Sequence, residues 1–251
     1  MIIRSTGELR KRFQELRTGD VFVGNLALRP GEEFKAIDLL HRGILVFPSL
    51  QSQFLSRSKV FQAEVLGPFM LKHTFVAYKN RDLVRCLPDY AGYGQIVCKR
   101  DRKHLGLGIS RWNCLEDLQS LAAMEALPYP LVIQPFLRDA RDIRVLIIDD
   151  YSEAYEKTNH YSFRKNLAYG GKSKAIEISS KLDTFCKKVM ARGDFPYAVL
   201  DILMDRSDNC YLSEINLSAG LTGSSIGQDE FITRKIHVHD RFCQSLNSRQ
   251  L

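Results

Sequence analysis

The 251-residue chain has no C-x-x-C pair among its six cysteines and no histidine at zinc-ligand spacing from any of them, which argues against a zinc site and against a disulfide framework. Cys86, Cys98, Cys114, Cys186, Cys210 and Cys243 are expected as reduced, mostly buried thiols. No apolar run approaches the length of a membrane span, and the first thirty residues mix charges of both signs where a signal peptide needs an apolar core. A cytoplasmic location with no membrane partner follows by elimination. Long Lys/Arg runs and basic-aromatic repeats are missing, so nucleic acid is unsupported as a partner. Internal repeats, low-complexity tracts and long linkers are missing too.

What is present is an ordinary globular composition. At 45% hydrophobic content the chain can bury a substantial core, in one large domain or in two or three compact lobes. A formal charge of +7 and a pI near 9.1 favour anionic partners without choosing among them.

Ser5 followed by Glu8 is a capping-box signature that opens a helix over 5–16, and a strand is expected over 20–26. A second helix over 31–42 and a strand over 44–47 complete a short α/β lobe, 1–55. A helix over 56–65 stops at Gly67-Pro68, strands follow at 74–78, 95–99 and 108–112, and a helix at 115–126 ends before Pro128 and Pro130. These make a central lobe, 56–130. The last lobe, 131–251, starts with strands at 131–137 and 142–148 and a β-rich run to Lys157, and carries helices at 180–192 and 229–246. Strands and helices interleave, so the class is α/β (α+β) with mainly antiparallel pairs late in the chain.

The segment 196–217 reads as a β-hairpin around the turn residues Arg206-Ser207-Asp208-Asn209. A tip between Ser207 and Asp208 pairs Asp205 with Cys210, Leu203 with Leu212, and Asp201 with Glu214. Val199, Asp201 and Leu203 then share a face with Leu212, Glu214 and Asn216. Opposed carboxylates are unfavourable unless a cation lies between them, most simply a divalent metal. Asp201, Glu214 and the amide oxygen of Asn216 are hard ligands suited to Mg²⁺, with Mn²⁺ as the alternative, and Mg²⁺ completes its shell with water and phosphates. A solvated acidic strand edge is the competing explanation.

Further motifs line up in order. They are Ser56-Arg57-Ser58-Lys59, Ile96-Val97-Cys98-Lys99, Gly106-Leu107-Gly108-Ile109, Ile133-Gln134-Pro135-Phe136-Leu137, Asp142-Ile143-Arg144, Phe163-Arg164-Lys165-Asn166-Leu167 with Gly170-Gly171, Asp201-Ile202, and Glu214-Ile215-Asn216. On chemistry alone Lys59 and Lys99 are cations able to neutralise phosphates, Gly106 and Gly108 allow close backbone approach or a plain hairpin turn, and Asp142 with Arg144 suits an ordinary salt bridge. Together, over about 56–227, the motifs resemble the ATP-grasp superfamily, most closely its glutamate-ligase and glutathione-synthetase-like branch.

The resemblance implies an ATP-grasp fold: two α+β lobes gripping ATP, here with a shortened N-terminal α/β lobe. It implies that Lys59 and Lys99 clamp phosphates beneath the loop of Gly106 and Gly108. Gln134, Pro135, Phe136 and Leu137 would hold adenine through backbone groups, and Asp142 would receive a ribose hydroxyl or orient a base. Arg144 and Arg164 would face the γ-phosphate and the substrate carboxylate as the catalytic cations, with Asn166 beside Arg164 at the nucleotide. Pro135 stands where the family usually has Glu and removes a backbone donor, and Ala219 stands where it usually has Pro.

The implied activity is an ATP- and Mg²⁺-dependent carboxylate-amine ligase working through an acylphosphate. An ATP-grasp kinase acting on a hydroxyl, or a nucleotide-binding module without turnover, are the alternatives. The implied partners are an acidic small molecule or polypeptide, an amine acceptor, and a partner subunit should the short N-terminal lobe need completing. His237 and His239 are two apart on an expected helix and diverge, so no histidine is assigned a catalytic role.

Overall fold

A computed structural model describes residues 1–103, 107–167 and 170–248. The chain first builds β1 (Ile2–Ile3), α1 (Thr6–Arg12), β2 (Val21–Val23), α2 (Glu33–His41) and β3 (Leu45–Phe47), with the strands forming a parallel sheet in the order β1-β2-β3. Parallel neighbours need crossover connections, which α1 and α2 supply. The Ser5 hydroxyl accepts the Glu8 backbone N–H at 3.1 Å and so starts α1 as expected. Ile3, Leu9, Phe22 and Leu39 fill this lobe's own core.

Two short helices follow, α3 (Leu50–Leu55) and α4 (Lys59–Leu66), where one is expected from residue 56. Both open on serine caps: Ser49 accepts from Ser52 N–H and Ser58 from Phe61 N–H. The central lobe holds β4 (Phe75–Ala77), α5 (Asn80–Tyr90), β5 (Ile96–Arg100), β6 (Ile109–Trp112), α6 (Leu115–Ala123) and β7 (Leu131–Pro135), in an antiparallel sheet ordered β4-β7-β5-β6. Helix α5 was not expected. Its Leu83, Cys86, Leu87 and Tyr90 nevertheless form an i, i+3, i+4, i+7 stripe against the lobe core, with Pro88 interrupting the pattern near its end.

The remaining elements are β8 (Arg141–Ile148), β9 (Tyr151–Thr158), β10 (Lys172–Ile176), α7 (Ser180–Gly193), β11 (Ala198–Met204), β12 (Cys210–Asn216) and α8 (Gln228–Asn247). Their antiparallel sheet runs β10-β9-β8-β11-β12; strand β10 is a further unexpected element. The lobe boundaries fall differently from those drawn at 55 and 130. Strand β7 pairs with β4 and β5, so it belongs to the central sheet. Leu55, Leu66 and Met70 lie in the large core with α7, β8 and β11, so α3 and α4 belong to the C-terminal body although they precede the central lobe in sequence. Apolar packing, and not chain order, sets the lobes.

Strand β12 is the edge of its sheet, and α4 covers that edge. Gln62 fastens the two: its amide donates to Leu55 O at 2.7 Å and Ile215 O at 2.8 Å, and its carbonyl oxygen accepts Ile215 N–H at 3.1 Å. Leu217 N–H donates to Ser56 Oγ at 2.9 Å, extending the same seam. Gln62→Leu would leave the Ile215 N–H and carbonyl without the partners Gln62 supplies, at about 1–3 kcal/mol each before relaxation, while Leu55 O keeps the Ser58 N–H at 3.3 Å. We expect a fall of about 2–4 kcal/mol in urea-unfolding stability; a fall below about 0.5 kcal/mol would show that the edge is held by apolar packing alone.

Candidate functional site

The central and C-terminal sheets face each other across a cleft of about 880 Å³. Its floor is a row of charges laid across the C-terminal sheet by strand register. Tyr155, Arg144, Asp201 and Glu214 are successive partners on β9, β8, β11 and β12, and Lys157 is the partner of Asp142 on the adjoining row. Arg144 holds Asp201 through both oxygens, Nε to Oδ1 at 2.8 Å and Nη2 to Oδ2 at 2.9 Å. Lys157 Nζ lies 2.7 Å from Asp201 Oδ1 and 2.9 Å from Asp142 Oδ1.

Burial disfavours ionised Asp201, but Lys157 and Arg144 outweigh it and hold the carboxyl well below its ordinary range. Asp142 goes the other way: burial and the neighbouring Asp201 charge push its carboxyl up despite Lys157. Asp201 in turn raises the Arg144 guanidinium. The Lys157 ammonium is lowered by burial but raised on balance by Asp201 and Asp142.

The expected opposition of Asp201 and Glu214 is present. The register beyond it is not, because Ser213 is an extra residue between Glu214 and Leu212: Leu203 pairs with Tyr211 in place of Leu212, and Met204 in place of Asp205 pairs with Cys210. The bulge turns Leu212 into the core beside Ile202 and leaves Ser213, Glu214 and Asn216 all lining the cleft; Val199 is buried in the core as well. The expected Asp142–Arg144 pair is replaced by cross-strand pairs, Arg144 with Asp201 and Asp142 with Lys157.

Two lysines reach this floor from other elements. Lys99, buried on β5 in the opposite sheet, donates to Ser213 O at 3.1 Å and Ser213 Oγ at 3.2 Å, and burial pushes its ammonium down to about 8 while Glu214 works against that fall. Lys59, the first residue of α4, donates to Lys103 O at 2.7 Å and lies 3.3 Å from Glu214 Oε1. Asp101 Oδ1 accepts from Ser58 Oγ at 2.9 Å and Val60 N–H at 3.2 Å, tying the β5–β6 connection to the start of α4. Gly108 closes that connection; a Cβ there would collide with the Lys103 side chain. Gly106 lies outside the described residues.

At the other end of the cleft Phe136 and Phe163 meet edge to face at 6.3 Å, with the Arg111 guanidinium 5.2 Å from each ring. Gln134, Phe136, Leu137 and Asn166 line this end. Pro135 pairs with Ile96 within the sheet, and the Phe136 N–H is already given to Gln95 O at 2.9 Å, so neither residue offers a free backbone donor here. Arg164 spans the lobes, its Nε donating to Ile109 O at 3.1 Å and its Nη2 to the same oxygen.

Of the sequence-predicted residues among the described ones, Lys99, Gln134, Phe136, Leu137, Asp142, Arg144, Arg164, Asn166, Asp201, Glu214 and Asn216 line one cleft; Lys59 reaches it through Glu214, whereas Pro135 and Gly108 do not line it. Sequence reasoning missed Lys157, Ser213, Asp101 and Arg111. Lys157 had a signal: a two-residue turn at Asp149-Asp150 puts residue 157 opposite 142. His239 is buried against the Tyr197 hydroxyl at 3.0 Å, while His237 points outward.

Comparison with known proteins bears on this arrangement. The family model for the RimK-like ATP-grasp domain matches residues 50–237. The chain belongs to the RimK-like ATP-grasp family. This RimK-like fold is shared by D-alanine–D-alanine ligase from Bacillus anthracis (13% identity over 96% of this chain and 86% of that one, TM-score 0.65). D-cycloserine synthetase DcsG follows at 12% identity over 88% and 83%, TM-score 0.63. The ATP-grasp ligase PsnB, complexed with minimal precursor, Mg and ADP, shows 18% identity over 86% and 77%, TM-score 0.57. No curated protein sequence matches the chain.

Two stability predictions follow from the charge row of this RimK-like chain. Asp201→Asn leaves Arg144 beside a neutral amide and Lys157 with Asp142 alone, for an expected loss of about 3 kcal/mol at pH 7. Because the folded-state carboxyl is depressed, wild type and variant should converge as pH falls below about 4; parallel urea curves at all pH values would contradict the pairing. Lys99 is the opposite case, a cation lowered on folding to about 8. Its burial cost is complete below that pH and is relieved as pH rises toward the unfolded value near 10.4. Wild type should gain stability relative to Lys99→Met between pH 8 and 10 in urea titrations; a constant difference would place the ammonium in water.

Proposed function

We propose that the cleft binds ATP with Mg²⁺ and joins a carboxylic acid to an amine, releasing ADP and phosphate. The observation that carries the proposal is the juxtaposition of Asp201, Glu214 and Asn216 on one sheet with Lys99 from the other and Lys59 from α4. Carboxylates able to hold a cation and ammonium groups able to hold phosphates are the side chains that a metal-phosphate ligand needs.

The donor set fits Mg²⁺ in type. Asp201 Oδ1 accepts from Arg144 and Lys157, but Oδ2 accepts from Arg144 alone, leaving a lone pair toward the cleft. Among the described residues no three His, Cys, Asp or Glu side chains converge to hold a metal unaided. Mg²⁺ commonly takes one or two carboxylates and completes its shell with phosphate oxygens, so here it would arrive with the nucleotide. When bound it would neutralise charge on the terminal phosphates. PsnB solved with Mg and ADP, and the Bacillus anthracis ligase solved with ATP, support the choice of ligand by analogy. Mn²⁺ is the alternative ion.

In the proposed reaction an oxygen of the substrate carboxylate attacks the γ-phosphorus as the bond to the β-phosphate oxygen breaks, giving an acylphosphate and ADP. The amine nitrogen then attacks the acyl carbon, phosphate leaves, and the amine proton passes to phosphate or solvent. Lys59 and Lys99 would hold phosphates, and Phe136 and Phe163 would flank the base. Arg144 keeps Asp201 ionised and oriented, while its Nη1 donates to Gly220 O at 3.1 Å and positions the loop after β12. Arg164, bridging to Ile109, would draw the β6 side of the cleft over the reacting groups. The acid would be a small molecule or polypeptide. A partner subunit, where one completes the acceptor end, would meet the outer face of α2, on which Phe34, Ile37 and Leu40 are more than half exposed.

Incubation with ATP, Mg²⁺ and a panel of acids, with and without amines, tests the proposal. ADP release that requires both acid and amine supports a ligase, and a stable phosphorylated product would convert the reading to a kinase. Glu214→Gln should lower ADP formation by at least a hundredfold, about 2.7 kcal/mol of barrier, with an unchanged thermal midpoint. Turnover retained at the wild-type Mg²⁺ dependence would remove Glu214 from the site.

A further inference from the structure

Strand register lays out a second row of cleft residues, this one on the central sheet. Val97 on β5 pairs with Gln134 on β7 and with Arg111 on β6, and all three line the cleft. Val97 and Gln134 are buried, whereas Arg111 is exposed. Lys99 stands two residues further along β5, about 7 Å away. The row of Gln134, Val97 and Arg111 therefore lies one step from the ammonium assigned to phosphate, on the side where Phe136 and Phe163 would flank a base.

The Arg111 guanidinium is held at this end without being used up. It lies 5.2 Å from the ring centres of both Phe136 and Phe163, and a cation–π contact consumes none of its N–H donors. Among the described residues it forms no ion pair with a carboxylate, in contrast to Arg144 beside Asp201. The hinge on the β7 side of the row is poorer in donors, because Pro135 has no N–H and that of Phe136 is given to Gln95 O. Side chains thus carry much of the base recognition that this end can offer. The two purines differ in what they present to them. Guanine offers adjacent acceptors, O6 and N7, which an arginine fork meets with two parallel bonds; adenine sets N7 beside an amino group that is itself a donor. Gln134, with a donor and an acceptor in one amide, suits either base.

We propose that Arg111 is a specificity-determining contact to the nucleobase, and that its juxtaposition with Val97, Phe136 and Phe163 opens the site to guanine nucleotides beside adenine ones. The proposal rests on the nucleotide-binding part of the function proposed above. It changes which triphosphate the cleft takes and leaves the metal and carboxylate chemistry as described. Arginine is required for the contact, since lysine keeps the charge but loses the planar fork.

Calorimetry with Mg²⁺ and no acid or amine tests it. The probes are ATP, GTP, ITP and 7-deaza-GTP, titrated into wild type, Arg111→Ala and Arg111→Lys. We expect wild type to bind GTP within tenfold of ATP, and ITP, which keeps O6 and N7, within threefold of GTP. Removal of N7 in 7-deaza-GTP should weaken binding at least fivefold, a comparison made on wild type alone that stands even where a variant unfolds. Each substitution should weaken GTP at least tenfold and ATP less than threefold, at an unchanged thermal midpoint. GTP bound more than tenfold more weakly than ATP, 7-deaza-GTP bound as well as GTP, or a substitution that weakens both triphosphates alike would overturn the assignment while leaving an ATP site in place. Binding of neither triphosphate would instead reject the nucleotide site itself, and the assignment of Arg111 with it.

Discussion

The ionised Asp201, gripped by Arg144 and Lys157, is the interaction on which the cleft depends. Three strands must be in register to make it, since Arg144 comes from β8, Lys157 from β9 and Asp201 from β11. A one-residue slip in any of them would turn its charge into the apolar core formed by Ile143, Val145 and Ile202. The charges thus carry a cost that register alone repays, and they specify the pairing that packing then reinforces. Asp142, held by the same Lys157 but pushed toward its neutral form by burial and by Asp201, shows that one lysine does not offset the burial of both carboxylates.

The bulge at Ser213 does a second job. Without it Ser213 and Glu214 would point to opposite faces; with it both line the cleft, and Lys99 takes the carbonyl and hydroxyl of Ser213 from across the gap. Because β12 is an edge strand, its irregular backbone needs partners beyond the sheet, and Gln62 and Ser56 supply them from the segment around α4. Lys59, three residues before Gln62, comes from that same helix, so the element that secures the strand also presents a cation to Glu214.

Much of this was legible in the chain. The opposition of Asp201 and Glu214 followed from turn residues and period-two alternation, and Lys59, Lys99 and Arg144 followed from the order of motifs. The parts that were not legible depend on information alternation does not carry. A bulge changes the count of residues between two strands without any composition mark, so Leu212 was placed on the wrong face. Which carboxylate Arg144 chooses is decided by distance across strands and not by separation along one, so Asp201 wins over Asp142. The lobe boundaries missed for a similar reason: β7 joins β5, and α3 and α4 join α7, through apolar contacts between distant stretches.

The two ends of the cleft differ in how completely their polar groups are satisfied, and that difference orders events on ligand entry. At the hinge the Phe136 N–H is already engaged with Gln95, so a base placed there gains from ring contacts with Phe136, Phe163 and the Arg111 plane more than from that backbone donor. At the floor, Lys99 sits near its titration point through burial. An anion brought next to it would favour the charged form and offset part of its burial cost. The carbonyls of Ser213 and Lys103 accept from the ammonium groups of Lys99 and Lys59, linking the β5–β6 side of the cleft to β12 and α4.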